Sequence, residues 1–195
     1  RLTQCTDIPK KDTPSLIEGI YIQWIKPYGP PDVLETDQES CLICEEAKLM
    51  LQRVGTKMVE KGVNSHVKML EKHHDILRQQ FLRIKSQCAE EGIAITDRMC
   101  MFEAVIAKNA LFTLGKYTPL QAVFGRQPSI LPDLESGDGN LDDSVGGPET
   151  LSRNRHRVRE IAVSAMVERT AIERAQRAAR SKTRRSTTEE RYEIG

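Results

Sequence analysis

A chain of 195 residues is long enough for one domain with a real core and an appendage, and no run approaches the roughly eighteen apolar residues a membrane span needs. The net charge of +1 hides an asymmetry: residues 1–150 hold 17 Lys and Arg against 22 Asp and Glu, whereas residues 151–195 hold 12 against 6. That is the pattern of a globular body followed by a basic arm that seeks polyanions, without a role at membranes.

Five cysteines, an odd number, argue against a disulfide framework and suit an intracellular setting, nuclear or cytoplasmic. The opening RLTQCTDIPKKD has no apolar signal core and begins with Arg, so the sequence reads as a fragment.

Residues 1–6 read as the end of a strand, and Pro9 and Pro14 bracket a loop. Asp12 or Thr13 caps a helix with Pro14 in its first turn and Ile17, Ile20, Tyr21 and Trp24 on one face, stopped by Tyr28-Gly29-Pro30-Pro31. Asp32 to Thr36 forms a short strand ending at Asp37. A helix over about 40–54 follows, stopped by Gly55, and Thr56–Val59 suits a second strand. From about His66 to Ala89 runs a long helix striped by Val67, Leu70, His74, Leu77, Phe81, Ile84 and Cys88, with Glu71 on the stripe's margin and His74 expected in the core.

A further helix starts at a cap on Thr96 or Asp97 and reaches Gly115, with Phe102, Val105, Ile106 and Phe112 as core candidates. Thr118-Pro119 repeats the cap-and-proline entry into a short helix ended by Gly125. Residues 133–151 are an acidic, glycine-rich linker. Its Asp138, Asn140, Asp142 and Glu149 mimic a calcium loop, but Asp143 stands where the loop needs glycine. Residues 152–195 return to an arginine-rich helix and tail, with a thin apolar stripe through Val158, Ile161, Ala165 and Ile172.

Two carboxylates, one at a strand end and one on a helix margin, are what a divalent-metal phosphoryl-transfer site uses, because hard cations take oxygen ligands. Among 28 acids such a pair also arises by chance as solvated surface charge. Cys41-x2-Cys44 has no second CxxC, and His66, His73 and His74 lack zinc-ligand spacing, so the pair reads as plain thiols on a helix face.

Three motifs in order are more specific: W-x3-YGPPDVLETDQES from Trp24, GTKMVEKGVNSHVKMLEKHHDILR from Gly55, and KNALFTLGKYTPLQAVFGRQP from Lys108. Together they resemble the catalytic core of retroelement integrases, of the ribonuclease H-like fold, over roughly residues 1–135. The resemblance implies an α/β fold: a partial integrase core over residues 1–132, incomplete at its N-terminus, the linker 133–151, and a helical C-terminal extension 152–195. It implies that Asp37 and Glu71 are catalytic metal ligands for Mg²⁺ or Mn²⁺, with 33 residues between them. Asn109, Thr118, Pro119, Phe124, Gly125 and Pro128 match its downstream motif, and His66 its retained histidine.

The implied function is DNA integration as part of a retrotransposon polyprotein, by 3′-processing and strand transfer, with element ends and target DNA as partners and self-association compatible. Lys68, Lys72 and Arg78, and in the basic arm Arg153, Arg155, Arg157 and Arg159, are the candidate DNA contacts. Two departures stand out. No residue matches the family's first catalytic Asp, Asp7 being a poor substitute, so the fragment alone is expected to be inactive; and Asp75 stands where the family presents a base. A non-catalytic nucleic-acid-binding remnant and a helical protein-interaction module are the alternative readings. The integrase reading expects Trp24, Leu70, Leu77, Phe81, Phe102 and Ile106 to be largely buried where three helices cover a sheet.

Overall fold

The computed structural model describes residues 2–36, 40–60, 68–113, 116–130 and 148–180. It is mostly helical, with one small parallel sheet, a mixed α/β arrangement. Helix α1 (Thr13–Ile20) is capped by Asp12, whose carboxylate accepts from the Ser15 amide at 2.9 Å, and takes Pro14 in its first turn. The chain continues through a π-helical stretch (Tyr21–Ile25) into the short α2 (Lys26–Tyr28), and Gly29 leaves it at φ 84, where a side chain would be strained. Strand β1 (Val33–Thr36) connects through α3 (Ser40–Ile43) and α4 (Glu45–Arg53) to β2 (Lys57–Glu60). The strands pair in parallel, Val33 with Lys57 and Thr36 with Glu60, so the unit is a compact β-α-β crossover.

The expected single helix over 40–54 is two helices, because Cys44 adopts an extended backbone (φ −66, ψ 153) and becomes the N-cap of α4. Residues 2–8 form no strand. They are held instead by α6 (Asp97–Leu111): the Thr3 amide donates to Asn109 Oδ1 at 3.0 Å, and Asn109 Nδ2 donates to the Thr3 carbonyl at 2.7 Å.

Two clusters make the interior. Ile17, Ala47 and Leu51 join α1 to α4, with Leu34 and Met58 of the strands against them. A larger cluster unites α5 (Lys68–Glu90), α6 and α8 (Pro148–Arg180) through Ile76, Leu77, Ile84, Cys88, Cys100, Ala104, Val158, Ile161, Ala162 and Met166. The N-terminal half of the basic helix thus shares a core with α5 and α6, and these three helices pack on one another in a bundle. That arrangement corrects several burial expectations. Of the six residues expected inside, Leu77 is buried, Phe81, Phe102 and Ile106 are half-buried, and Trp24 and Leu70 are exposed. The buried stripe of α5 starts at His73 and Ile76, so His73 is the packed histidine, edge-on to Phe112 with ring centroids 5.7 Å apart, and His74 faces outward.

Helix α7 (Pro119–Phe124) has the expected Thr118 cap and Pro119 entry, to which Gln121 adds a capping box, and Gly125 closes it in the left-handed region at φ 71. The acidic linker, calcium-loop mimic included, lies mostly outside the described residues, and α8 begins within it at Pro148.

Candidate functional site

Because β1 and β2 run in parallel and Thr36 is the register partner of Glu60, both strands end at the same edge of the sheet. Asp37 is the residue after β1, and the chain from β2 leads to α5, whose first turn carries Glu71. An acid there is favoured by the unpaired amides of the helix start. Glu71 and Lys72 are exposed, and Arg78 is exposed about two turns further on. Asp37 and His66 lie outside the described residues, as does the side chain of Lys68. Asp75 accepts a hydrogen bond from Gln79 at 2.9 Å. Carboxylate oxygens suit a hard cation. Among the described residues, however, no three His, Cys, Asp or Glu cluster to hold one, so a metal site would require Asp37 and a further acid beside Glu71.

The arginines of the basic helix divide into two sets. Arg157 donates from Nε and Nη2 to the two oxygens of Glu91, each at 2.8 Å, and from Nη1 to Glu160 at 2.8 Å. The Arg157 hydrogen bonds, with one from Gln87, hold the Glu91 carboxyl down to about 2. Arg159 grips Glu103 of α6 with both Nε and Nη2, the latter at 2.9 Å, and Glu103 is 4% exposed. That pairing raises the Arg159 pKa further. Both charges are therefore engaged by carboxylates, in ion pairs that tie α8 to the residue after α5 and to α6. Arg153 and Arg155 are exposed, as are Arg174, Arg177 and Arg180 toward the end of α8. Sequence alone carried one signal for this docking, the thin apolar stripe of α8; the carboxylates outside α8 that hold it, Glu103 and Glu91, lie 56 and 66 residues away and leave no local trace.

Two further features escaped the sequence. Lys108 of α6 is fully buried, donates to Thr3 Oγ1, and has its pKa pushed down to about 8 by burial. Along β1, Ile8, Leu16, Ile20, Trp24, Val33 and Leu34 line an apolar groove of about 500 Å³, and among the described residues β1 pairs only with β2. No protein-family model matches this sequence, and neither a curated protein nor a solved structure matches it.

Proposed function

We propose that this chain is part of a ribonuclease H-like integrase core of a retrotransposon polyprotein and acts in DNA integration. The observation that supports the reading is the agreement of motif with element: Asp37 follows a short parallel strand, Glu71 lies in the first turn of the 23-residue helix that follows the next strand, and Thr118-Pro119 to Gly125 bounds a capped helix. The chemistry is in-line phosphoryl displacement, in which water frees a 3′-hydroxyl at the element's end and that hydroxyl then attacks target DNA. Mg²⁺ or Mn²⁺, held by Asp37, Glu71 and a further acid, would supply charge neutralisation. Lys68, Lys72 and Arg78 would position phosphates.

A non-catalytic nucleic-acid-binding role is the second reading, favoured by the exposed arginines of α8, Arg153, Arg155, Arg174, Arg177 and Arg180, which need no metal site to meet phosphates. The test is a chain extended by the coding sequence upstream of Arg1, assayed for 3′-processing and strand transfer on duplex ends. The extended protein should join ends, Asp37→Asn and Glu71→Gln should abolish joining without unfolding it, and the 195-residue chain should be inactive. Joining that survives loss of Glu71 defeats the integrase reading. DNA binding without joining by the extended protein supports the second reading.

A further inference from the structure

Five cysteines are reduced in the structure, and two of them differ chemically from the rest. Cys5, Cys88 and Cys100 all have their thiol pKa values raised, burial being the main cause, which leaves them in the unreactive protonated form. Cys41 and Cys44 are half-buried, three residues apart, and sit in the crossover of the β-α-β unit, where α3 breaks and α4 begins.

Both sulfurs converge on one short segment, Lys11 to Thr13. Cys41 Sγ donates to the Lys11 carbonyl at 3.3 Å, and Cys44 Sγ lies 3.4 Å from Thr13 Oγ1. Thr13 Oγ1 in turn donates to the Cys41 carbonyl at 2.8 Å, and Cys44 Sγ approaches the same carbonyl at 3.6 Å. The shared contacts keep the two side chains on one side of the α3–α4 junction. Residues three apart in such a turn have Cα atoms about 5–6 Å apart, inside the range that a disulfide bridges. Cys44 occupies the N-cap of α4, whose unpaired amides and positive dipole end favour a thiolate, and its pKa is lowered, chiefly by the Thr13 hydroxyl, which turns its proton from the Cys41 carbonyl to the sulfur when the thiol ionises, and next by the Ala47 amide. A CxxC at the start of a crossover helix between parallel strands is a setting in which thiol–disulfide exchange is expected.

The geometry points to Cys41 and Cys44 as a reversible dithiol–disulfide site that reacts with low-molecular-weight disulfides such as glutathione disulfide. Cys44, its proton released to solvent, attacks one glutathione sulfur; a Cys44–glutathione bond forms, the glutathione disulfide bond breaks, and one glutathione thiolate leaves and takes up a proton. Cys41 then gives its proton to solvent and attacks Cys44 Sγ, which expels the second glutathione as a thiolate that is protonated in turn. Two protein thiols are oxidised by two electrons, and one disulfide is reduced to two thiols. Closing the bond draws Cys41 Sγ from Lys11 and Cys44 Sγ from Thr13, so the redox state also sets how α1 is tied to the crossover. The inference is independent of the proposed function.

The test uses the full reduced chain in glutathione buffers of rising oxidised-to-reduced ratio, trapped with N-ethylmaleimide and mapped by mass spectrometry. The peptide holding Cys41 and Cys44 should lose two hydrogens before Cys5, Cys88 or Cys100 changes. Cys44 should alkylate on the order of tenfold faster than those three. Cys41→Ser should stop at a mixed disulfide on Cys44. Cys44→Ser keeps a good N-cap for α4 and should form neither product. Wild-type protein that accumulates glutathione adducts without closing the 41–44 bond, or a Cys44 no faster than Cys5, overturns the assignment, and those wild-type measurements decide it whatever the variants do.

Discussion

Replacing Lys108 with methionine should make the protein more stable at neutral pH, although it removes a hydrogen bond. Lys108 is fully buried, its ammonium donates to the Thr3 hydroxyl, and burial depresses its pKa from 10.5 to about 8. At pH 7 both folded and unfolded chains hold the proton, so the folded state carries the whole burial penalty. The gap between the two pKa values makes that about 3 kcal/mol. Between about pH 8 and 10.5 the unfolded chain binds more protons than the folded one, so this lysine's penalty fades and its contribution to stability rises with pH. Methionine keeps the side chain's length without a charge. Losing the bond to Thr3 returns about 1 kcal/mol, because the half-exposed Thr3 can turn its hydroxyl to solvent. The net gain of Lys108→Met is then about 2 kcal/mol at pH 7, shrinking steadily toward pH 10. Cys5, Cys88 and Cys100, with raised pKa values, pull stability the other way in the same window. They are present in both proteins and cancel in the difference. Urea unfolding followed by circular dichroism at several pH values reads the effect. A variant less stable than wild type at pH 7, or a difference that does not change between pH 7 and pH 10, refutes the reasoning.

Arg159→Met should cost about 2–3 kcal/mol in the same urea assay, because it strands Glu103 inside the bundle without its partner. Glu91, held down to about 2 by Arg157, contributes stability that is present above about pH 4.5 and is lost as the pH falls toward 2; the difference between wild type and Glu91→Gln in acid melting curves should disappear over that range. Deleting residues 148–195 should unfold the protein, since it uncovers Val158, Ile161 and Met166, each worth about 1.5–3 kcal/mol, against a total stability of about 5–15 kcal/mol. A cooperative melt of that truncated chain refutes the shared core.

Caps and breakers were legible because their physics is local: Asp12 with Pro14, Thr96, Thr118-Pro119, Gly55 and Gly125 all act within a turn of themselves. The two strands were legible as β-branched and apolar runs between turn residues. What escaped is what distant partners decide. Steps of three and four fitted both His74 and His73 at the start of α5, and Phe112 of the α6 C-cap decides for His73. Nothing near Cys44 in sequence forbids a continuous helix; Thr13, 31 residues away, rewards the break. Trp24 was expected under a sheet, but the two strands among the described residues leave it exposed, bordering the groove. Within the candidate site, Glu71 could be assigned to a helix start from sequence. Its distance to Asp37 depends on the segments 37–39 and 61–67, which lie outside the described residues.

The docking of α8 also changes which cations can serve a polyanion. Arg157 and Arg159 are held by Glu91, Glu160 and Glu103, so bringing a phosphate to either means breaking carboxylate bonds that α8 uses to stay in place. Binding there would compete with folding. Arg174, Arg177 and Arg180 lie beyond the point where the helix leaves the core, at Met166, and Arg177 leans on Glu173 at 3.6 Å. Neutralising them touches no core residue, so Arg174→Gln, Arg177→Gln and Arg180→Gln together should leave the melting temperature within a degree or two. If α8 pairs with phosphates, the same change should weaken duplex DNA binding and flatten its dependence on salt, the slope falling by about one for each phosphate left without its arginine. Arg159→Met should do the reverse, lowering stability while leaving that slope unchanged. If the triple variant binds DNA with the affinity and salt slope of wild type, the end of α8 is a solvated helix and its arginines serve solubility alone.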